Sequence, residues 1–303
     1  MKSEVHTRQH LTVQDNAATG IALTVGNAAL VPLVESGIKL LGGTTSSAQI
    51  VLTRFAVQVV FTALLLALIP KLRQPLPSPL WPLLLRGCLL ALGSGLLYAG
   101  LAVMPLVESS AIFFIEPLLL TCLAGLLLGE PVGWGRLIAV TVGLVGVLMI
   151  TGPNFEHIGW QASFPALAAL CFSGSALLTR RWAALANVFV FQLVASATAL
   201  ALAVAALIAA DILNVAALAP HLPTLSEAGL LLGIGVGATV TNLLLTQAFR
   251  ITPVSVIGPF LYLEIVGAAL LGYLFFQETP EIGTVLGALL VVSAGAYTWR
   301  WGT

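Results

Sequence analysis

Residues 108–130 read ESSAIFFIEPLLLTCLAGLLLGE, and residues 253–278 read PVSVIGPFLYLEIVGAALLGYLFFQE. Each is an apolar run long enough to cross a bilayer, with one glutamate inside it and one at its C-terminal end; the first also opens on Glu108. A shift of 148 residues lays one over the other, so that Glu116 falls on Glu264 and Glu130 on Glu278. Outward in the same register, Gly26 meets Gly174, Gly87 meets Gly235, Pro105 meets Pro253 and Gly135 meets Gly283. Glycine matches weigh little in a chain with 29 glycines. Glutamate occurs only ten times in 303 residues, and two of its matches fall in the same stretch. The chain reads as two copies of one unit.

Composition sets the solvent of that unit. The chain is 59% apolar and 8% charged, against about 25% charged residues in a soluble domain. So few charges do not cover a water-facing surface, and the surface is suited to lipid. A bilayer core of about 30 Å takes roughly 20 apolar residues of helix. Ten such runs follow one another, at about 18–40, 46–69, 81–103, 105–128, 133–151, 161–182, 187–210, 225–249, 253–276 and 280–300. Continuous apolarity argues for helices over membrane strands, which alternate polar and apolar residues. The expected fold is an all-α membrane protein of ten transmembrane helices, two inverted five-helix repeats around a central cavity. Its divisions are a tail at 1–17, a first repeat at 18–151, a linker at 152–160 and a second repeat at 161–300. The polar tail lacks the basic stretch, short apolar core and cleavage site of a signal peptide, so the first apolar run is expected to remain as helix 1.

Five helices per half is an odd number, so the halves enter the membrane with opposite orientation. Lys2, Arg8, Lys71, Arg73, Arg136, Arg180, Arg181, Arg250 and Arg300 share one side when the N-terminus is cytoplasmic, with Arg86 one turn inside it. The positive-inside bias then places both termini in the cytoplasm. Lys39 faces out and Arg54 lies within helix 2. The loop after helix 4 carries Arg136, while its counterpart carries Glu278 and Glu281. Inverted repeats are the structural basis of alternating access, with the binding site near mid-membrane.

Three segments resemble the drug/metabolite transporter superfamily in its ten-helix branch with paired EamA domains. They are residues 108–130 followed by GWGRLIAVTVGLVGVLMITGP, residues 253–278 followed by IGTVLGALLVVSAGAY, and residues 161–182, QASFPALAALCFSGSALLTRRW. The resemblance implies a bacterial inner-membrane carrier with a central cavity and cytoplasmic termini. Many members export amino acids, aromatic ones included; others take up vitamins or nucleoside-like metabolites.

Ionisable groups inside a span are expensive and mark candidate sites. Glu116 and Glu264 each lie eleven residues past a helix-starting proline, about 16 Å deep at 1.5 Å per residue. They either line the cavity, holding a substrate ammonium or a proton, or satisfy neighbouring helices. Pro117 and Pro259 are expected to loosen their helices as hinges. Arg54 either holds a substrate carboxylate or pairs with Glu35 or Glu108, the ion pair being favoured; an outer gate is a further role for it. Thr239, Asn242 and Thr246 share one face of helix 8, turned to the cavity or to other helices. Tyr98 and Tyr262 are candidates to flank an apolar substrate, Tyr98 fitting an interface anchor better. Gly233 with Gly237, and Gly283 with Gly287, are expected to be close-packing seams.

The expected function is a secondary exporter of small metabolites, foremost amino acids, aromatic or other apolar ones among them. The alternative is a carrier for neutral or cationic drugs, vitamins or nucleoside-like metabolites. A phosphorylated substrate would demand several buried cations, and the spans offer essentially one. No histidine lies within a span, and Cys88, Cys122 and Cys171 sit in apolar runs, so no enzyme, metal site or cofactor is expected. No basic tract points to nucleic acid. The expected partners are a small-molecule substrate and the lipid bilayer, and a monomer suffices.

Overall fold

The computed structural model describes residues 16–41, 45–103, 106–151, 159–212, 222–276 and 282–301, with the backbone alone at 39, 47, 98, 101–103, 106–108, 272–273, 275–276 and 301. All regular structure among them is helical. The first half comprises α1 (Ala17–Leu40), α2 (Ser47–Leu68), α3 (Trp81–Val103), α4 (Leu106–Phe113), α5 (Glu116–Leu123) and α6 (Trp134–Thr151). The second comprises α7 (Ser163–Arg181), α8 (Val188–Ile212), α9 (Leu225–Ile251), α10 (Val254–Leu261), α11 (Leu263–Phe276) and α12 (Ile282–Trp301). Helix is the outcome lipid enforces, because each backbone N–H must find its carbonyl within the segment. α4 with α5, and α10 with α11, each make one interrupted span, so among the described residues twelve helices form ten spans in two inverted sets of five. Among the described residues nine spans are long and apolar enough to cross a membrane, and α3, apolar over Trp81–Leu97, makes the tenth.

The halves interlock, and their contacts obey the 148-residue offset. α1 packs on α9, and the offset turns that pair into α7 on α3, which also pack. In the same way α2 on α9 becomes α8 on α3, and α1 on the α10–α11 span becomes α7 on the α4–α5 span. The pairs α2–α8 and α6–α12 map onto themselves. Small residues let these helices approach. A Cβ on Gly87 of α3 would lie 2.6 Å from the Ala195 carbonyl of α8, and its repeat mate Gly235 abuts Val57 of α2. Gly146 and Gly287 face each other across α6–α12, where a Cβ on Gly287 would come within 2.5 Å of the Gly146 carbonyl. The expected seam at Gly287 is therefore real, whereas Gly233 meets nothing within 4 Å. It lies on the exposed side of α9, and only Gly237 of that pair, against Val34, is a contact.

One end of the bundle gathers Arg73, Arg136, Arg180, Arg181 and Arg250, at or near the ends of α2, α6, α7 and α9. It is called the arginine-rich end below.

Candidate functional site

The interruptions fall at equivalent places. α4 ends at Phe113 and α5 begins at Glu116; α10 ends at Leu261 and α11 begins at Leu263. The offset maps Phe114 onto Tyr262 and Glu116 onto Glu264. The linking residues stay right-handed but flatten in ψ, Ile115 at φ −68°, ψ −15° and Tyr262 at φ −65°, ψ −16°. The turn tightens there, and the Ile115 N–H reaches the Ile112 carbonyl at 3.1 Å, one residue short of the helical pattern. Pro117 and Pro259, which lack the N–H a helix interior requires, flank the two sites. Each glutamate thus falls in the first turn of a new helix segment, where unpaired N–H groups and the helix dipole favour a carboxylate.

These carboxylates form part of one cluster. Glu116 and Glu264 lie deep among protein atoms yet keep accessible surface, as do Glu35 of α1 and Arg54 of α2. Their accessible surface shows that other protein atoms do not fill the space against them. Glu264 lies within electrostatic reach of both Glu35 and Glu116, and Glu35 within reach of Arg54. Among the described residues no hydrogen bond or ion pair satisfies the three carboxylates or the guanidinium, and Arg54 Nε is buried without a partner. Of the two partners expected for Arg54, Glu35 faces it without forming an ion pair, and the side chain of Glu108, like that of Tyr98, lies outside the described residues.

Tyr262 is fully buried, so it does not flank open space. It packs on Gly143 and, at 6.4 Å between ring centroids, on Phe114, its own repeat mate. Its hydroxyl is unpartnered, and Glu116 is near enough to act on it. The polar face of α9 is likewise turned inward to protein. Thr239 has no accessible surface and donates to its own helix at the Gly235 carbonyl, 2.7 Å away. Asn242, half-buried, donates to the Ala238 carbonyl at 2.8 Å. Thr239 thus departs from the cavity-lining expectation, since a hydroxyl bonding back to the preceding turn needs no water. Thr246 has a different role. It accepts from Arg86 Nη2 at 2.8 Å, while Arg86 Nε donates to Thr179 at 2.8 Å.

Arg86 corrects the sequence expectation. The sequence sets it one turn into α3 near the basic side and counts essentially one cation within the spans. Arg86 is instead 4% exposed. Among the described residues the bundle interior therefore holds two cations, Arg54 and Arg86, in place of one.

Bonds between the halves, and others within the second half, tie the arginine-rich end together. The π-turn Ala124–Leu128 ends at Gly129, whose left-handed φ of 67° turns the chain back. Glu130 then caps α10 across the interface, accepting from the N–H groups of Val254 at 3.0 Å and Ser255 at 3.1 Å and from Ser255 Oγ at 3.0 Å. Arg180 Nε lies 3.5 Å from the same carboxylate, and Arg136 donates to Ser255 Oγ at 2.9 Å. Arg250 holds the Ala183 and Ala186 carbonyls. The chain start joins in: Asn16 N–H donates to the Ile251 carbonyl at 2.7 Å. Sequence reading paired Glu130 with Glu278 but gave it no task; the Gly-Glu-Pro run after an apolar span was the available signal.

With this geometry in hand, comparison with known proteins identifies relatives over the whole chain. The family model described as the EamA-like transporter family matches twice, at residues 18–152 and 160–298. The pseudopaline exporter CntI of Pseudomonas aeruginosa is 29% identical over 287 residues, 93% of this chain and 96% of that protein. The riboflavin transporter of Rhizobium johnstonii is 31% identical over 220 residues, 73% of this chain and 70% of its own. The S-adenosylmethionine uptake transporter of Rickettsia bellii is 28% identical over 213 residues, 70% of this chain and 69% of its own. A solved crystal structure at 20% identity superposes with a TM-score of 0.76, covering 94% of this chain and 98% of that one, and bears on the fold.

Proposed function

The chain belongs to the EamA-like transporter family of the drug/metabolite transporter superfamily, and we propose that it carries a small zwitterionic, amino-acid-like metabolite across the bacterial inner membrane by alternating access. It transports a small molecule; the finer terms of the proposal rest on the carboxylate cluster. Glu35, Glu116 and Glu264 lie within electrostatic reach of one another or of Arg54, keep accessible surface, and among the described residues have Arg54 alone near to balance them. Such a site favours a cationic group on the solute, and Arg54 suits the opposite charge. Glu116 and Glu264 begin half-helices at equivalent points of the two repeats, the arrangement that places a carrier's site at the repeat interface.

On this reading the arginine-rich end is cytoplasmic, as the positive-inside bias requires, and both termini lie there. Two units, 18–151 and 161–300, rock about the shared site, with the breaks beside Pro117 and Pro259 as hinges. The bonds across the arginine-rich end fit an outward-facing conformation. The relatives' names include both uptake and export, so the earlier expectation of amino-acid export becomes the direction to test first.

A second reading, a neutral ring-bearing solute, is favoured by the aromatic side chains beside Glu116. Phe113 and Phe172, both half-buried, stack edge-on at 5.6 Å. Counterflow in proteoliposomes decides, using the twenty amino acids, S-adenosylmethionine and riboflavin, with and without a pH gradient. Exchange of amino-acid-like solutes above protein-free vesicles is expected. Exchange of riboflavin alone favours the second reading, and exchange of none of the panel refutes the first.

A further inference from the structure

Arg86 is buried in the bundle with its charge unanswered. Its Nε and Nη2 are held at 2.8 Å by the hydroxyls of Thr179 and Thr246, and its Nη1 is buried with no partner. No described carboxylate lies close enough to act on it. The other arginines of this region are answered: Arg180 faces Glu130, and Arg250 spends its fork on the Ala183 and Ala186 carbonyls and on Gln247. A guanidinium in an apolar interior is costly without a counter-charge, and such groups mark solute paths.

The two hydroxyls aim the group. Thr179 Oγ1 donates its own hydrogen to the Ser175 carbonyl at 2.9 Å, which leaves a lone pair for Arg86. The holder spans both halves, with Arg86 on α3 and the two threonines on α7 and α9. On α7, Ser173 donates to the Glu116 carbonyl at 3.3 Å. Thr179 lies six residues further on, about 9 Å nearer the arginine-rich end. Arg86 therefore stands between the mid-depth carboxylates and the end that is closed in this conformation.

We infer that Arg86 is the anion station of the transport route, taking the carboxylate of the carried solute when the arginine-rich end opens. The inference rests on the carrier reading. One guanidinium with one free nitrogen matches a carboxylate; a phosphate dianion would demand more cations than Arg86 alone. Thr179 and Thr246 are positioning residues.

The test uses two matched pairs of probes that differ by a carboxylate: L-phenylalanine with 2-phenylethylamine, and S-adenosylmethionine with its decarboxylated form. Binding to the purified full-length protein is read by thermal shift, and transport separately by counterflow. Wild type is expected to bind the carboxylate member more tightly. Arg86→Gln should cut the carboxylate-to-amine affinity ratio by about tenfold to a hundredfold, the value of a charge-assisted contact. Arg86→Lys, which keeps the charge and loses the fork, should fall between. If Arg86→Gln does not fold, Arg86→Lys and Thr246→Val report the same ratio. An unchanged ratio in folded variants, or equal loss of both members of each pair, overturns the anion station while leaving the carrier reading in place. A carboxylate preference that Arg86→Gln abolishes, in a protein that transports neither pair, keeps Arg86 as an anion site and refutes the carrier reading, and with it the station on a transport route.

Discussion

Glu130→Gln tests whether the cap between the halves holds the arginine-rich end shut. In the closed form the carboxylate spreads over two backbone donors, one on each oxygen, with the Ser255 hydroxyl and Arg180 beside it. The side chains of Glu130 and Arg180 are 9% and 17% exposed, so water screens them little. A glutamine keeps one acceptor and turns its NH2 toward the second donor. A hydrogen bond to a charged group contributes about 1.5–3 kcal/mol net, so the exchange should cost the closed state roughly 2 kcal/mol. In the open state these groups face water and lose little. The closed-to-open ratio should then fall about 30-fold. Hydrogen exchange of the full chain in lipid nanodiscs reads this shift. Peptides over the start of α10 and over the 182–187 turn, which Arg250 holds while Arg180 links Glu130 to the Arg250 carbonyl, should both exchange faster, and together, in the variant. Faster exchange confined to the amides of Val254 and Ser255 would show only a lost acceptor and would refute the latch. Unchanged exchange in both regions would refute it outright.

Further substitutions separate site from scaffold. Glu264→Gln and Glu116→Gln should each lower counterflow of amino-acid-like solutes at least about tenfold, by losing one charge-assisted contact, in protein of unchanged elution volume; full activity in both would remove the cluster from the mechanism. Gly146→Leu must part α6 from α12, because even a Cβ would lie 2.7 Å from the Gly287 carbonyl. It should lower stability by about 1–3 kcal/mol, whereas Gly229→Ala, with nothing within 4 Å, should be neutral or raise it; equal midpoints in thermal denaturation would contradict the packing. Thr224→Ala dismantles the capping box with Glu227 at the start of α9. Its expected cost is about 1 kcal/mol in the same assay with solute affinity unchanged, and a shifted affinity would mean that α9 is not merely scaffold there.

The ten spans were legible because lipid leaves few alternatives. An apolar run of sufficient length must be helical, and α3, expected over 81–103, is observed over Trp81–Val103. The repeat was legible because glutamate is rare in this chain and so marks register. The interruptions were only half visible. Pro117 and Pro259 announce weak points, yet the 148-residue offset places Pro117 on Ile265 and Pro259 on Ala111, so the prolines are not equivalent. The breaks are equivalent nonetheless, at Phe114 and Tyr262. A repeated feature cannot be set by unrepeated prolines alone. It also depends on how the two interrupted spans cross, where Gly258 admits Thr121 and the Pro117 carbonyl, and no local pattern encodes that crossing.

The polar residues show the same limit from the other side. Spacing places Thr239, Asn242 and Thr246 on one face of α9, but it does not say what answers that face. Two of them bond to the preceding turn of their own helix, and the third receives Arg86. Depth along the sequence misjudged Arg86 for a related reason. A side chain five residues from a helix end reaches water only if its side of the helix faces the membrane edge, and α3 is apolar on every side, so no amphipathic pattern gives its rotation. Packing on α7 and α8, with Gly87 against Ala195, turns Arg86 inward. In a uniformly apolar chain, hydrophobic patterning therefore locates helices without orienting them. The rare charged residues mark where to look, but a partner on another helix decides whether each one is an anchor or a site.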